Sequence, residues 1–148
     1  MQHYSLEKVE KMYDSPKIVH ADAGATMTAD YEPKDSYFTV LDSDGRVLEE
    51  NRNAGKIWSV EAEYRSIEWA VNNVSGRPLI ITNDNEAALK WSRKGASTDK
   101  HDLPPLVVNK PEVEVAYQKH NLADVYNAKH IEDKHIPDRY KEKYENAG

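Results

Sequence analysis

Four acids, Asp22, Glu63, Asp84 and Asp124, stand where the local sequence changes from one kind of element to another. Carboxylates are hard oxygen donors, and a few of them drawn together hold Mg²⁺ or Mn²⁺ without any histidine or cysteine ligand. Two such ions about 3.5–4 Å apart can present a nucleophilic water, stabilise a leaving oxygen and neutralise charge at phosphorus. The chemistry within reach of such a set is therefore phosphodiester hydrolysis. Acids crowded in this way repel one another, so the site takes up protons or cations readily. Each acid also has a local explanation. Asp22 could be a turn residue at a strand end. Glu63 lies in the early turns of a helix, where acids complement the dipole, and Glu61 competes with it. Asp84 or Asn83 could cap the helix that follows. Asp124 stands three residues after Asn121, as a capping-box acid would.

Alternating strands and helices must bring these side chains together. Lys17–Asp22 is an apolar run of the interior-strand kind, and Gly24 just beyond it is expected to let the chain turn. Residues 25–35 are polar, include Pro33 and read as a loop. Tyr37–Leu41 and Arg46–Glu50 flank Asp42-Ser43-Asp44-Gly45, a hairpin signal with glycine where a positive φ is needed. From Ser59 the period becomes helical, with Ala62, Ile67, Ala70, Val71 and Val74 on one stripe and Ser59 as the expected N-cap. Ser75-Gly76-Arg77-Pro78 stops that helix. Leu79–Thr82 is a second interior strand running into Asn83-Asp84-Asn85, and a second helix carries Ala87, Ala88, Leu89 and Trp91 up to Gly95. Residues 96–111 read as a polar loop around Leu106-Val107-Val108. Glu112–Gln118 alternates as a strand, with Glu112, Glu114 and Ala116 on the wetter face. Asn121 then caps a helix through Ala128.

Upstream, Leu6, Val9, Met12 and Tyr13 are spaced as one face of a short helix stopped by Ser15-Pro16. The expected organisation is a helical extension over 1–16, one domain over 17–129 and a charged tail over 130–148, broken by Pro137. The fold class is α/β: a five-stranded mixed sheet, a three-strand antiparallel meander plus two parallel strands, with helices on both faces.

A chain of 148 residues, 39% hydrophobic and 31% charged, is long enough to bury a real core. It has no apolar run of membrane-spanning length and no secretory pattern at its start, which predicts a cytoplasmic location. The absence of cysteine excludes disulfides and thiolate metal sites. A net charge of −6 speaks against nucleic acid as a partner. Bound divalent cations would cancel much of that charge locally, and Lys90, Arg93, Lys94 and Lys100 form a candidate basic patch for phosphates. The patch also reads as a solvated helix end with cations placed well for the dipole.

Four fragments carry a resemblance to a known family. They are Val19-His20-Ala21-Asp22-Ala23-Gly24, Ala62-Glu63-Tyr64, Ile80-Ile81-Thr82-Asn83-Asp84-Asn85 and Asn121-Leu122-Ala123-Asp124. In their order, and on these elements, they resemble the ribonuclease H-fold nucleases, most of all the compact type 1 ribonucleases H. The resemblance spans about 17–129. It implies two Mg²⁺ or Mn²⁺ ions, with Asp22 between them, Glu63 and Asp84 completing one site and Asp124 helping to hold the other. It further implies a proton-moving role for His120 and substrate contacts at Gly24, Ser59 and Asn85, beside the basic Lys90, Arg93 and Lys94. The implied activity is endonucleolytic cleavage of the RNA strand of RNA–DNA hybrids by a monomer. Two motifs depart from the family: Asp-Gly-Ser is Asp22-Ala23-Gly24 here, and the Thr-Asn-Asn before the helix acid is Trp58-Ser59-Val60. Trp69 and Trp91 fall on apolar helical positions and read as core, whereas Trp58 is also a candidate for stacking on a base. Two rival functions fit the same residues: a DNA exonuclease or junction resolvase on the same fold, and a non-catalytic nucleic-acid-binding module.

Overall fold

The computed structural model describes residues 5–132. Its main sheet has five strands: β1 (Lys17–Met27), β2 (Pro33–Asp42), β3 (Val47–Asn51), β4 (Leu79–Asn83) and β7 (Val113–Tyr117). A separate two-stranded hairpin is formed by β5 (Ala96–Ser97) and β6 (Asp102–Leu103). The helices are α1 (Leu6–Glu10), α2 (Ser59–Asn73), α3 (Glu86–Lys94) and α4 (Leu122–His130). The order across the main sheet is β3-β2-β1-β4-β7. The β1–β2 and β2–β3 pairs are antiparallel, and β1–β4 and β4–β7 are parallel. This is the expected meander plus two parallel strands.

Alternation along the strands splits the core in two. Val19, Ala21, Leu79 and Ile81 pack on one face with Tyr64, Ile67 and Ala70 of α2 and Leu89 of α3. On the other face Ile80 and Ala116 meet Val9 of α1, and Leu41 meets Leu122, Ala123 and Tyr126 of α4. Strand β4 is buried along its whole length, as its unbroken apolar run requires. Ala116 is thus fully buried under α1 rather than on a wetter face.

Several local expectations are corrected. Strand β1 does not turn at Gly24. It continues to Met27, and β2 starts at Pro33, so the loop expected over 25–35 shrinks to the residues between them. Gly24 serves a different purpose: it pairs with Tyr37, and a Cβ there would run into the outer end of the Tyr37 ring, so any larger residue would push that ring aside. The β2–β3 turn is as expected, with Gly45 at φ +87° and Asp42 Oδ1 accepting from the backbone N–H groups of Asp44 and Arg46. Trp58, not Ser59, is the N-cap of α2, and no side chain caps that end. Asn85, rather than Asn83 or Asp84, caps α3 by accepting from the Ala88 N–H. Helix α1 ends at Glu10, and Met12 is 65% exposed, so the expected stripe keeps only Leu6, Val9 and Tyr13. The β5–β6 hairpin lies in a stretch read as loop, because two-residue strands carry no periodicity. Most of the charged tail expected over 130–148 lies outside the described residues.

No helix among the described residues is long and apolar enough to cross a membrane.

Candidate active site

The last pair in the parallel β1–β4 ladder is His20 with Thr82, whereas β1 runs on against β2. Asp22 therefore sits where the sheet opens beyond the carboxyl end of β4, the place where α/β sheets bind ligands. Asp84 directly follows β4, and Asp124 lies in the first turn of α4. One carboxylate oxygen from each of Asp22, Asp84 and Asp124 lies within 4.8 Å of those of the other two. Glu63, in the second turn of α2, adjoins this group without belonging to it: Asn83 Nδ2 donates to its Oε1 at 3.1 Å.

Burial makes these charges costly. Asp22 is 4% exposed and Glu63 7%. Loss of water pushes the Asp22 carboxyl well above its usual range, the fields of Glu63, Asp124 and Asp84 push it further, and an amide hydrogen bond from Asn127 opposes them. Glu63 is pushed up to about 8, first by burial; the Asn83 amide opposes this, Asp84 adds to it, and the Ala23 N–H again opposes it. Asp84 is raised by burial and then by Asp124. His120 Nδ1 lies 2.9 Å from Asp124 Oδ2, and His120 is the one ion-pairing partner that any of the three aspartates has among the described residues.

Three hard oxygen donors, partly desolvated and mutually repelling, form a donor set that suits a divalent cation. Asp84 and Asp124 are only half-buried, so the group opens toward solvent on their side.

Asparagines locate the acids. Asn121 accepts from the Asp124 N–H through Oδ1, while its Nδ2 donates to the Ala21 carbonyl at 3.0 Å and to Thr82 Oγ1 at 2.9 Å. The same Thr82 hydroxyl is bonded to the buried ring of His20 at 2.8 Å. One residue thus caps α4 and ties it to both β1 and β4. Asn83 links Glu63 to the Ala21 carbonyl, which joins α2 to the same point.

The other expected site residues divide. Glu61 turns away from the group and pairs with Arg65 at 3.3 Å and His101 at 3.1 Å, so Glu63 rather than Glu61 adjoins the aspartates. Ser59 opens α2 four residues before Glu63, and Asn85 is occupied as a cap. The side chains of the expected patch differ in their surroundings. Arg93 pairs with Glu114 at 3.2 Å and donates to the Val115 carbonyl, fastening α3 to β7, whereas Lys90 and Lys94 are exposed. Trp69 and Trp91 pack against the main core. The Trp58 ring lies 4.4 Å below the Lys100 ammonium. Asn83 and Asn127 escaped sequence reasoning as functional residues. Asp124 and Asn127, three apart on one helix, were a usable signal, because that spacing places both on one face.

No protein-family model and no curated protein matches the sequence. Solved structures do match. LC11-RNase H1, isolated from compost by a metagenomic approach, superposes with a TM-score of 0.50 at 15% identity, over 72% of this chain and 86% of that one. The same enzyme in complex with an RNA/DNA hybrid gives 0.47 at 15% identity, over 70% and 86%. RNase H1 of the halophilic archaeon Halobacterium salinarum NRC-1 gives 0.47 at 16% identity, over 70% and 86%. At such identities the likeness is one of fold, and the fold of this chain is ribonuclease H-like.

Proposed function

We propose that this chain is a divalent-metal-dependent nuclease that cleaves the RNA strand of RNA–DNA hybrids. The observation that carries the reading is the convergence of Asp22, Asp84 and Asp124 within 4.8 Å at the open end of β4, with Glu63 buried beside them. Four elements supply these acids, and the core has no packing use for them. Acids this close and partly desolvated repel one another, and a bound cation would relieve that repulsion where His120 alone meets only Asp124. The substrate class follows the ribonuclease H-like fold and the four-fragment resemblance, and LC11-RNase H1 has been seen holding an RNA/DNA hybrid.

In this reading Asp22, Asp84 and Asp124 hold Mg²⁺ or Mn²⁺, and Glu63 lends its charge from the α2 side. When bound, the ions would supply a water nucleophile near neutral pH and would neutralise charge at phosphorus. The chain's own part is to hold the scissile phosphodiester at the half-buried Asp84–Asp124 side and to keep the Asp22–Glu63 side dry. His120, 2.9 Å from Asp124, would carry a proton to or from the reacting oxygen, and its hydrogen bond to a metal-holding acid supports that role. Ser59 at the start of α2, and Lys90 and Lys94 on α3, are the candidate contacts to the rest of the duplex.

The test is cleavage of a labelled RNA–DNA hybrid by the full chain with Mg²⁺, with EDTA and by Asp22→Asn, beside duplex and branched DNA. Hybrid cleavage abolished by EDTA and by the substitution supports the proposal. Preference for DNA moves the substrate to the exonuclease or resolvase alternative, and undiminished cleavage by Asp22→Asn refutes the site.

A further inference from the structure

We infer that Asn127 is a positioning residue that aims Asp22 at the cation, with Thr39 fixing which end of its amide Asp22 meets; the inference rests on the metal-dependent reading above. Asn127 lies one turn after Asp124 on α4, on the same face, and is fully buried. Its Nδ2 donates to Asp22 Oδ2 at 2.9 Å. An ionised carboxylate can only accept, so the NH₂ end of the amide must face it. The oxygen end is held in turn by the Thr39 hydroxyl, which donates to Asn127 Oδ1. Thr39 is fully buried and is the cross-strand partner of Asp22 in the β1–β2 register. A flipped amide would set oxygen against carboxylate, so the two neighbours leave the side chain one good orientation.

The consequence is geometric. One lone pair of Asp22 is occupied by a fixed donor, and its remaining lone pairs are available to an ion shared with Asp84 and Asp124. Because α4 also carries Asp124, a single rigid helix delivers one ligand and the group that aims another. Its register on the sheet is set next door, where Asn121 holds the Ala21 carbonyl. Groups that orient metal ligands in this way typically change metal affinity or activity by ~10–100-fold when removed.

The experiment is a Mn²⁺ titration of the full chain, read by calorimetry and by the electron paramagnetic resonance of free Mn²⁺. Wild type is compared with Asn127→Leu, Thr39→Val and Leu41→Ala. Leu41→Ala loosens the packing between α4 and β2 without touching the Asp22 network. The expected result is Mn²⁺ binding at least ~10-fold weaker for Asn127→Leu and several-fold weaker for Thr39→Val, with Leu41→Ala melting lower yet binding as wild type. Hybrid cleavage should lose kcat in the first two variants with KM for the hybrid unchanged. Wild-type Mn²⁺ affinity in Asn127→Leu overturns the inference while leaving the proposed function standing. Equal weakening in Leu41→Ala also overturns it, because the effect would then be one of general packing. Should Asn127→Leu not fold, Thr39→Val decides alone on the same criteria. No Mn²⁺ uptake by wild type overturns the proposed function itself, and the inference with it.

Discussion

Glu61 and Glu63 stand two residues apart on α2, and the fold treats them in opposite ways. Glu61 shares Arg65 with Glu68 and meets His101 of the β5–β6 hairpin, so its charge is matched by cationic or protonatable neighbours. Glu63 faces the other side of the helix, is 7% exposed and accepts from the amides of Asn83 and Ala23, with no ion pair among the described residues. The first cluster has a permanent cation, Arg65, held between its two acids. The second gathers Glu63 with Asp22, Asp84 and Asp124, and has no arginine or lysine paired to it among the described residues; in the proposed function a divalent cation fills that place. Matched charges of this kind serve architecture, and unmatched ones held together by packing point to a ligand.

The largest effect that separates the two regions is on cleavage. Asp22→Asn should lower hybrid cleavage by ~10³-fold or more, about 4 kcal/mol of transition-state stabilisation. The same substitution should raise the melting temperature of the metal-free protein, by about 3 °C for each ~1 kcal/mol of repulsion and desolvation relieved. A metal-free Asn variant that melts lower than wild type would contradict the unmatched-charge account.

Next in size is stabilisation by metal. At a Mg²⁺ concentration 100 times Kd, binding to the native state alone adds roughly 2.7 kcal/mol, a melting shift of several degrees that Asp84→Asn should largely abolish. Differential scanning calorimetry across a Mg²⁺ series reads this directly. Equal shifts in wild type and Asp84→Asn would place the ions elsewhere.

A third expectation concerns pH. The native pKa of Glu63 is raised from 4.5 to about 8, and Asp22 and Asp84 are raised as well. Between those values the native state binds more protons than the unfolded chain, so metal-free stability falls as pH rises from about 4.5 to about 8. Urea unfolding at several pH values, with EDTA, tests the sign. Saturating Mg²⁺ should flatten the slope, and a metal-free stability that climbs over this window would show that the acids are not held as described.

The smallest effect belongs to the matched cluster. Glu61→Gln should cost up to about 1 kcal/mol, the usual worth of a partly exposed ion pair, and leave cleavage within about twofold. A loss as deep as that of Asp22→Asn would erase the contrast between the two acids.

The order of elements, the β2–β3 turn and the core stripe of α2 were legible along the chain because they depend on neighbours within a turn or a pleat. Asn121 as the cap of α4 was legible for the same reason. Gly24 was not: its meaning comes from Tyr37 in the next strand, and a glycine admitting a ring reads the same as a glycine making a turn. Arg93 read either as a phosphate contact or as a solvated helix end, because its salt bridge to Glu114 crosses from α3 to β7 and leaves no local trace.

The sequence by itself determined which residues carry negative charge, which stretches must be buried and in what order strands and helices follow. Periodicity and turn chemistry are local, so they survive without a structure. Tertiary packing alone decided that three aspartates meet within 4.8 Å, that Glu63 and not Glu61 is buried beside them, and that Asn127 with Thr39 holds Asp22. Those facts depend on strand register and helix rotation, which are set by the whole core at once. A helix turned by the angle between two residues would have brought Glu61 inward instead.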